Sequence, residues 1–270
     1  MMFKQQLNLA WRSHNSLLCV GLDPDLRKLP DSIRGPEPLF TFNREIIDAT
    51  APWVCAYKPQ IAYYSAVGAE TELTKTIEYI KGRYPDIPVI LDAKRGDIGA
   101  TASMYAREAF ERYGADAVTV NPYMGGDTLE PFLAYQDKGV IVLCRTSNPG
   151  SGDIQALQTS KGSVATLVAR MAVEDWNKND NVALVVGATY PEQIAEVRQQ
   201  VGEMPLLIPG IGAQGGDLAQ VLQSGLDQNG VGLLVNASRS IIYAGGGPNF
   251  AEQAGAEAER LNEEINTLRT

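Results

Sequence analysis

The chain has 270 residues, 44% hydrophobic and 20% charged, and its 23 basic and 32 acidic side chains leave a net charge of −9. That balance argues against a nucleic-acid surface or an anionic membrane as partner, but not against a local pocket for a small anion. Cys19, Cys55 and Cys144 lie far apart in apolar runs with no paired ligand spacing, so buried reduced thiols are favoured over a disulfide framework or a Cys-type zinc site, and His14 is the single histidine, which excludes sites built on several imidazoles.

Short aliphatic runs predict eight strands, at 17–22 (LLCVGL), 54–57, 89–91, 117–120, 140–144, 182–186, 206–208 and 233–235. Most are apolar throughout rather than alternating, as in parallel strands covered on both faces. Helical stretches separate them, among them 70–84, 102–113 and 191–200, and an amphipathic helix is predicted over 249–270. Eight strands alternating with helices in about this length favour an α/β fold of the closed (β/α)8 TIM-barrel type, one domain over 1–270. An open doubly wound sheet is the alternative, but no GxGxxG follows the first strand, and polar residues follow nearly every strand. No apolar run approaches 18 residues and the N-terminus MMFKQQLNLAWRSHN lacks a signal-peptide core, so a cytoplasmic protein without a membrane span is expected.

In such a barrel the chemistry sits at the C-terminal strand ends. Those positions carry Asp23 after the first strand, Lys58 after the second, and Asp92 and Lys94 after the third. Asn121 follows the fourth, Arg145, Thr146 and Ser147 the fifth, Pro209-Gly-Ile-Gly the seventh, and Asn236, Ser238 and Arg239 the eighth. The densest cluster is LDAKRGDIGAT, 91–101. Asp92 and Lys94, two apart on an extended segment, are expected on one face. Asp97 and Thr101, four apart, are expected on one face of the helix beginning there. A plainly structural reading stands beside this: Asp97 as a cap and Asp92–Lys94 as an ordinary ion pair. Lys58 shifts the balance, because structural pairing rarely needs four alternating charges at one mouth. In such an array each group keeps its partner ionised. A lysine so flanked suits a proton donor and carbanion stabiliser, not a Schiff base.

After the seventh strand, IPGIGAQGGD (208–217) offers backbone N–H groups close approach to a phosphate. Arg239 after the eighth offers a bidentate fork, and barrels frequently bind phosphate with these two loops. The turn-rich segment CRTSNPGSGDIQALQ (144–158) is either a lid or a surface connection, with the surface connection favoured. Ser147 could reach a heterocyclic base, and 151–164 is either a structured insertion or a mobile loop. No cofactor motif is present.

Together these residues resemble the orotidine 5′-phosphate decarboxylases, over nearly the whole chain. The resemblance rests on Val20-Gly-Leu-Asp23, Tyr57-Lys-Pro59, the Asp92-x-Lys94-x-x-Asp97 element, Asn121-Pro-Tyr123, 146–150, 209–217 and Ser238-Arg239. The long 121–149 stretch looks like the longer bacterial subgroup. The resemblance implies cofactor-independent conversion of orotidine 5′-phosphate to UMP and CO2, the last step of de novo UMP biosynthesis. Lys94 would protonate pyrimidine C6, Asp92 would lie near the departing carboxylate, and Lys58 would belong to the charge network and touch the ribose. Asp23 would bind the ribose and Ser147 the pyrimidine. Pro209, Gln214 and Arg239 would close on phosphate with Ser238, where some relatives carry glycine. Asp97 and Thr101 would enter the partner's site across a homodimer interface. Two rivals remain. A Mg-dependent sugar-phosphate decarboxylase or aldolase shares the Asp92, Lys94, Asp97 element, but an acidic metal ligand is expected where Lys58 stands, and a cation there repels a divalent metal. A non-catalytic nucleotide sensor would keep the phosphate loops without needing the charge array.

Overall fold

The computed structural model describes residues 1–211 and 217–269. Eight parallel strands carry the core: β1 Leu18–Leu22, β2 Ala56–Pro59, β3 Ile90–Arg95, β4 Ala117–Val120, β5 Gly139–Arg145, β6 Val182–Val186, β7 Leu206–Pro209 and β8 Leu233–Ala237. Their order around the sheet is β2-β1-β8-β7-β6-β5-β4-β3. Isolated parallel bridges Tyr57↔Val89 and Gln60↔Asp92 join β2 to β3 and bring the ends together. This is the (β/α)8 barrel, not the open doubly wound sheet.

Strands β4 and β6 match the sequence expectation, and the others run further toward the C-terminal mouth or begin later. The physical reason is that ladder pairing continues past the apolar run: Lys58 pairs with Gly21 inside the β1–β2 ladder, and Asn236 with Cys19 between β1 and β8. Lys58, Asp92, Lys94 and Asn236 therefore stand within strand ends rather than after them.

Helices cover the outside, and their ends explain their extents. The helix Glu70–Arg83 opens with Glu70 and Glu72 and closes with Lys81 and Arg83, and Pro191–Val201 starts on proline and ends with Arg198 in its last turn. Both patterns complement the helix dipole. The helix expected over 102–113 begins at Gly99 and runs to Arg107, then widens into a π-turn over Glu108–Arg112. The last helix spans Phe250–Leu268 and packs on Pro38–Thr50, where the rings of Phe42 and Phe250 stack at 5.2 Å. Each such fully buried ring contributes about 1.5–3 kcal/mol. All three cysteines are free and buried. Among the described residues no helix is long and apolar enough to cross a membrane.

The segment 151–164 is structured. A short helical turn, Pro149–Asp153, is followed by a two-residue-per-strand hairpin pairing Gln158–Thr159 with Gly162–Ser163.

Candidate active site

Register neighbours on parallel strands point their side chains to the same face of the sheet. Lys58 and Gly21 are such a pair, as are Cys19 with both Ala56 and Asn236, and Asn236 with Pro209. This face is the barrel interior, and its upper end carries the polar groups.

Asp92 is the hub. It is buried, and its Oδ2 accepts from Lys58 Nζ at 3.1 Å while Oδ1 accepts from Lys94 Nζ at 2.6 Å. The Thr119 hydroxyl donates to the same Oδ1 at 2.8 Å. Lys58 is as buried as Asp92, whereas the Lys94 side chain is 46% exposed and so reaches the open mouth. Burial by itself opposes charge on Lys58, yet the Asp92 and Asp23 carboxylates outweigh it and raise its pKa above the ordinary lysine value. Burial likewise opposes charge on Asp92, but Lys58 and Lys94 outweigh it and hold the carboxyl well below the usual carboxylate range. Both partners therefore stay ionised at neutral pH.

The backbone that presents Lys94 is not a regular strand. Leu91 pairs with Val118 and Arg95 with Val120, so four steps along β3 oppose two along β4. Within this bulge Lys94 takes φ +46°, in the left-handed region that side-chain-bearing residues rarely occupy. The bulge is held by Thr119 Oγ1, which accepts from Ala93 N at 3.0 Å and from Lys94 N at 2.9 Å. One hydroxyl thus supports the backbone of Lys94 and the carboxylate that binds its ammonium. Bulges re-aim side chains next to active sites, and this one turns Lys94 onto Asp92. Thr119 is the residue that sequence reasoning missed. Its only signal was a single hydroxyl in the otherwise apolar β4 run.

Asp97 and Thr101 depart from the expected geometry. The helix begins at Gly99 with Ile98 as its cap residue, so Asp97 lies outside it and the two do not share a helical face. Gly99, at φ +51°, sets the helix start two residues after Asp97, whose Oδ1 instead accepts from Ile98 N at 2.8 Å. Asp97 is partly buried and Thr101 exposed, and neither bonds to the Lys58–Asp92–Lys94 array within one chain. The charge alternation inside one chain is therefore Lys–Asp–Lys.

The remaining expected residues that the structure describes lie at or just after other strand ends. Asp23, just after β1, is partly buried, and its Oδ1 has no hydrogen-bond partner among the described residues. Ser238 sits against Gly21 so closely that a Cβ on Gly21 would lie 1.8 Å from its Oγ, so no side chain fits at position 21 without displacing Ser238. Asn236, which the sequence places at the end of the eighth strand without a named role, is buried on the inner face, and its Oδ1 has no hydrogen-bond partner among the described residues. Two acceptors at this end of the barrel, Asp23 and Asn236, thus lack donors among the described residues. Buried acceptors are rarely left so unless something else supplies the donor. Pro209 ends β7, partly buried; Gln214 lies outside the described residues. Arg239 is exposed at the start of the short helix Arg239–Ile242, and Ser147 is partly buried after β5. Arg145, which the sequence places at the same strand end, is buried and turned toward Gln193 and Ser151, away from the Lys–Asp–Lys array.

A parallel barrel with a Lys–Asp–Lys array at its C-terminal mouth defines a (β/α)8-barrel enzyme. The family described as "Orotidine 5′-phosphate decarboxylase / HUMPS family" matches residues 16–254. An orotidine 5′-phosphate decarboxylase of Cellvibrio japonicus is 56% identical over 272 residues, covering 100% of both chains. One of Cupriavidus necator is 57% identical over 270 residues, covering 100% of this chain and 99% of that one. The solved structure of Leishmania donovani OMP decarboxylase superposes with a TM-score of 0.86 at 40% identity, covering 100% of this chain and 99% of that chain. The chain belongs to the orotidine 5′-phosphate decarboxylase / HUMPS family, and it is an enzyme of the decarboxylase type.

Proposed function

We propose that the chain converts orotidine 5′-phosphate to UMP and CO2 without a cofactor, the closing step of UMP biosynthesis. The observation that carries this reading is the buried Asp92 held between two lysines, one of them open to the mouth. In the reaction the C6–carboxyl bond breaks, CO2 leaves, and the electron pair stays on C6. That carbon has little delocalisation, so charge must be stabilised by groups already in place. Lys94 is the group for it: aimed by the bulge, bonded to Asp92, and able to give C6 its proton. Asp92 stands beside the departing carboxylate, and Lys58 completes the network and donates to the ribose, where Asp23 accepts.

Ser147 reads the pyrimidine. Pro209, Gln214, Ser238 and Arg239 take the phosphate, whose binding energy is remote from C6 and is spent on closing the site. Asp97 and Thr101 enter the partner's site in a homodimer. In support, Ile98, Met104, Tyr123 and Met124 near them are exposed large apolar side chains, the kind of surface a second copy covers.

The test is loss of orotidine 5′-phosphate absorbance with purified enzyme, with and without EDTA. Conversion to UMP that is insensitive to chelator is expected. Activity appearing only on sugar phosphates with added Mg2+ would instead select the metal-dependent relatives. Nucleotide binding without turnover would select a sensor.

A further inference from the structure

We infer that Arg145 and Gln155 are positioning residues that set the preference for a pyrimidine base from behind the mouth, by fixing the loop that carries Ser147. The inference rests on the assignment of Ser147 to the base.

Arg145 ends β5 at an irregularity, where Leu143 pairs with Val185 but Arg145 with Val186. Arg145 is buried, 5% exposed, and its guanidinium has no carboxylate within ion-pair distance among the described residues. A buried cation is costly unless its donors are used. Here Nε and Nη1 are used on one loop and its neighbour. Nε donates to the Gln193 side chain, and Nη1 donates to Ser151 Oγ and, at 3.4 Å, to Gln155 Oε1. The guanidinium carbon lies 4.8 Å from the centre of the Tyr190 ring.

Gln155 passes this order to the mouth. Its Oε1 accepts from Thr146 N at 2.8 Å, and its Nε2 donates to Thr146 Oγ1 at 3.1 Å. The loop closes on itself through Ser151 N to Asn148 O at 3.0 Å and Gln155 N to Ser151 O at 2.9 Å. Ser147 therefore sits between a residue clamped by Gln155 and one tied to Ser151. Its other side is walled by Gly187, where a Cβ would lie 2.6 Å from Ser147 N and 2.8 Å from its Cα. Arg145 and Gln155 themselves are bonded to the loop, not to the Lys–Asp–Lys array. Their effect on recognition is confined to what Ser147 touches.

The test compares binding of UMP and of ribose 5-phosphate, which lacks the base, by titration calorimetry. Wild-type enzyme is expected to bind UMP more tightly. Gln155→Ala is expected to weaken UMP binding about tenfold, one hydrogen-bonded contact's worth, while ribose 5-phosphate binding stays within about twofold. Gln155→Glu keeps an acceptor for Thr146 N and gives Arg145 a counter-charge, so it is expected to keep the wild-type ratio. Arg145→Met is expected to follow Gln155→Ala. A merely structural role would lower both affinities together or neither; either result in a folded Gln155→Ala protein overturns the inference. If wild-type enzyme binds the two ligands equally, the assignment of Ser147 to the base fails first, and the inference with it.

Discussion

Thr119→Val removes one hydroxyl while keeping the shape of the side chain, so its effect reports on hydrogen bonding rather than packing. In the native protein that oxygen accepts from Ala93 N and Lys94 N and donates to Asp92 Oδ1. Valine leaves two backbone donors without their acceptor and the carboxylate without the one uncharged side-chain partner it has among the described residues. Each buried group left unpaired costs roughly 1–3 kcal/mol. Solvent at the open mouth recovers part, for a net loss of about 2–4 kcal/mol. In a chain this long that lowers Tm by about 5–10 °C. The bulge also loses what holds Lys94 in its left-handed conformation, which itself costs about 1–2 kcal/mol. Lys94 then drifts from its aim, and kcat is expected to fall about 10–100-fold, the scale of a misplacement near 1 Å. Thr119→Ser restores the hydroxyl and is expected to recover most of both losses. Thermal unfolding and steady-state turnover on the three proteins decide the matter. A folded Thr119→Val enzyme with turnover within twofold of wild type would refute the reasoning, as would a serine variant no better than valine.

Asp92→Ala strips the buried Lys58 ammonium of its hydrogen-bonded counter-charge, leaving only the unbonded Asp23 carboxylate, and is expected to destabilise by about 3–5 kcal/mol in denaturant titration, whereas adding Lys58→Met should return most of the stability and none of the activity. Lys94→Ala, at a half-open position, should abolish turnover with unfolding unchanged; substantial residual turnover would remove Lys94 from the proton-donor role. Mixing Lys94→Ala with Asp97→Ala should restore about a quarter of wild-type activity, because half the random dimers carry one intact site; no recovery after subunit exchange would place Asp97 outside a shared site. Burial pushes the Cys19 and Cys144 thiols from 9.0 up to about 12. The native state thus holds those protons more tightly than the unfolded chain, so their contribution is complete below about pH 8.5 and is lost as pH rises toward 12. Stability should fall across that alkaline window, and a thiol reagent should find none of the three cysteines in native protein and all three after unfolding.

The sequence by itself determined the barrel and the three charged residues that meet at its mouth. Continuous apolar runs at regular spacing specify parallel strands covered on both faces, and charges directly after such runs are too costly to be incidental. For that reason Lys58, Asp92 and Lys94 were legible as one constellation before any coordinates. The tertiary structure decided how they meet. That Lys94 reaches Asp92 depends on a bulge in β3, which no spacing reveals, since an even strand and a bulged one share the same residues. That bulge depends on Thr119, brought beside β3 by a strand 27 residues further on than the Asp92 it touches. Asp97 fell off its expected helical face because Gly99, in a left-handed conformation, sets where the helix begins. Arg145 read as a mouth residue because it follows an apolar run, but its irregular pairing with β6 turned it behind the wall. Periodicity records which face a regular element buries. Where the backbone departs from regularity, the direction of a side chain is fixed by partners distant in sequence, and only the folded chain supplies them.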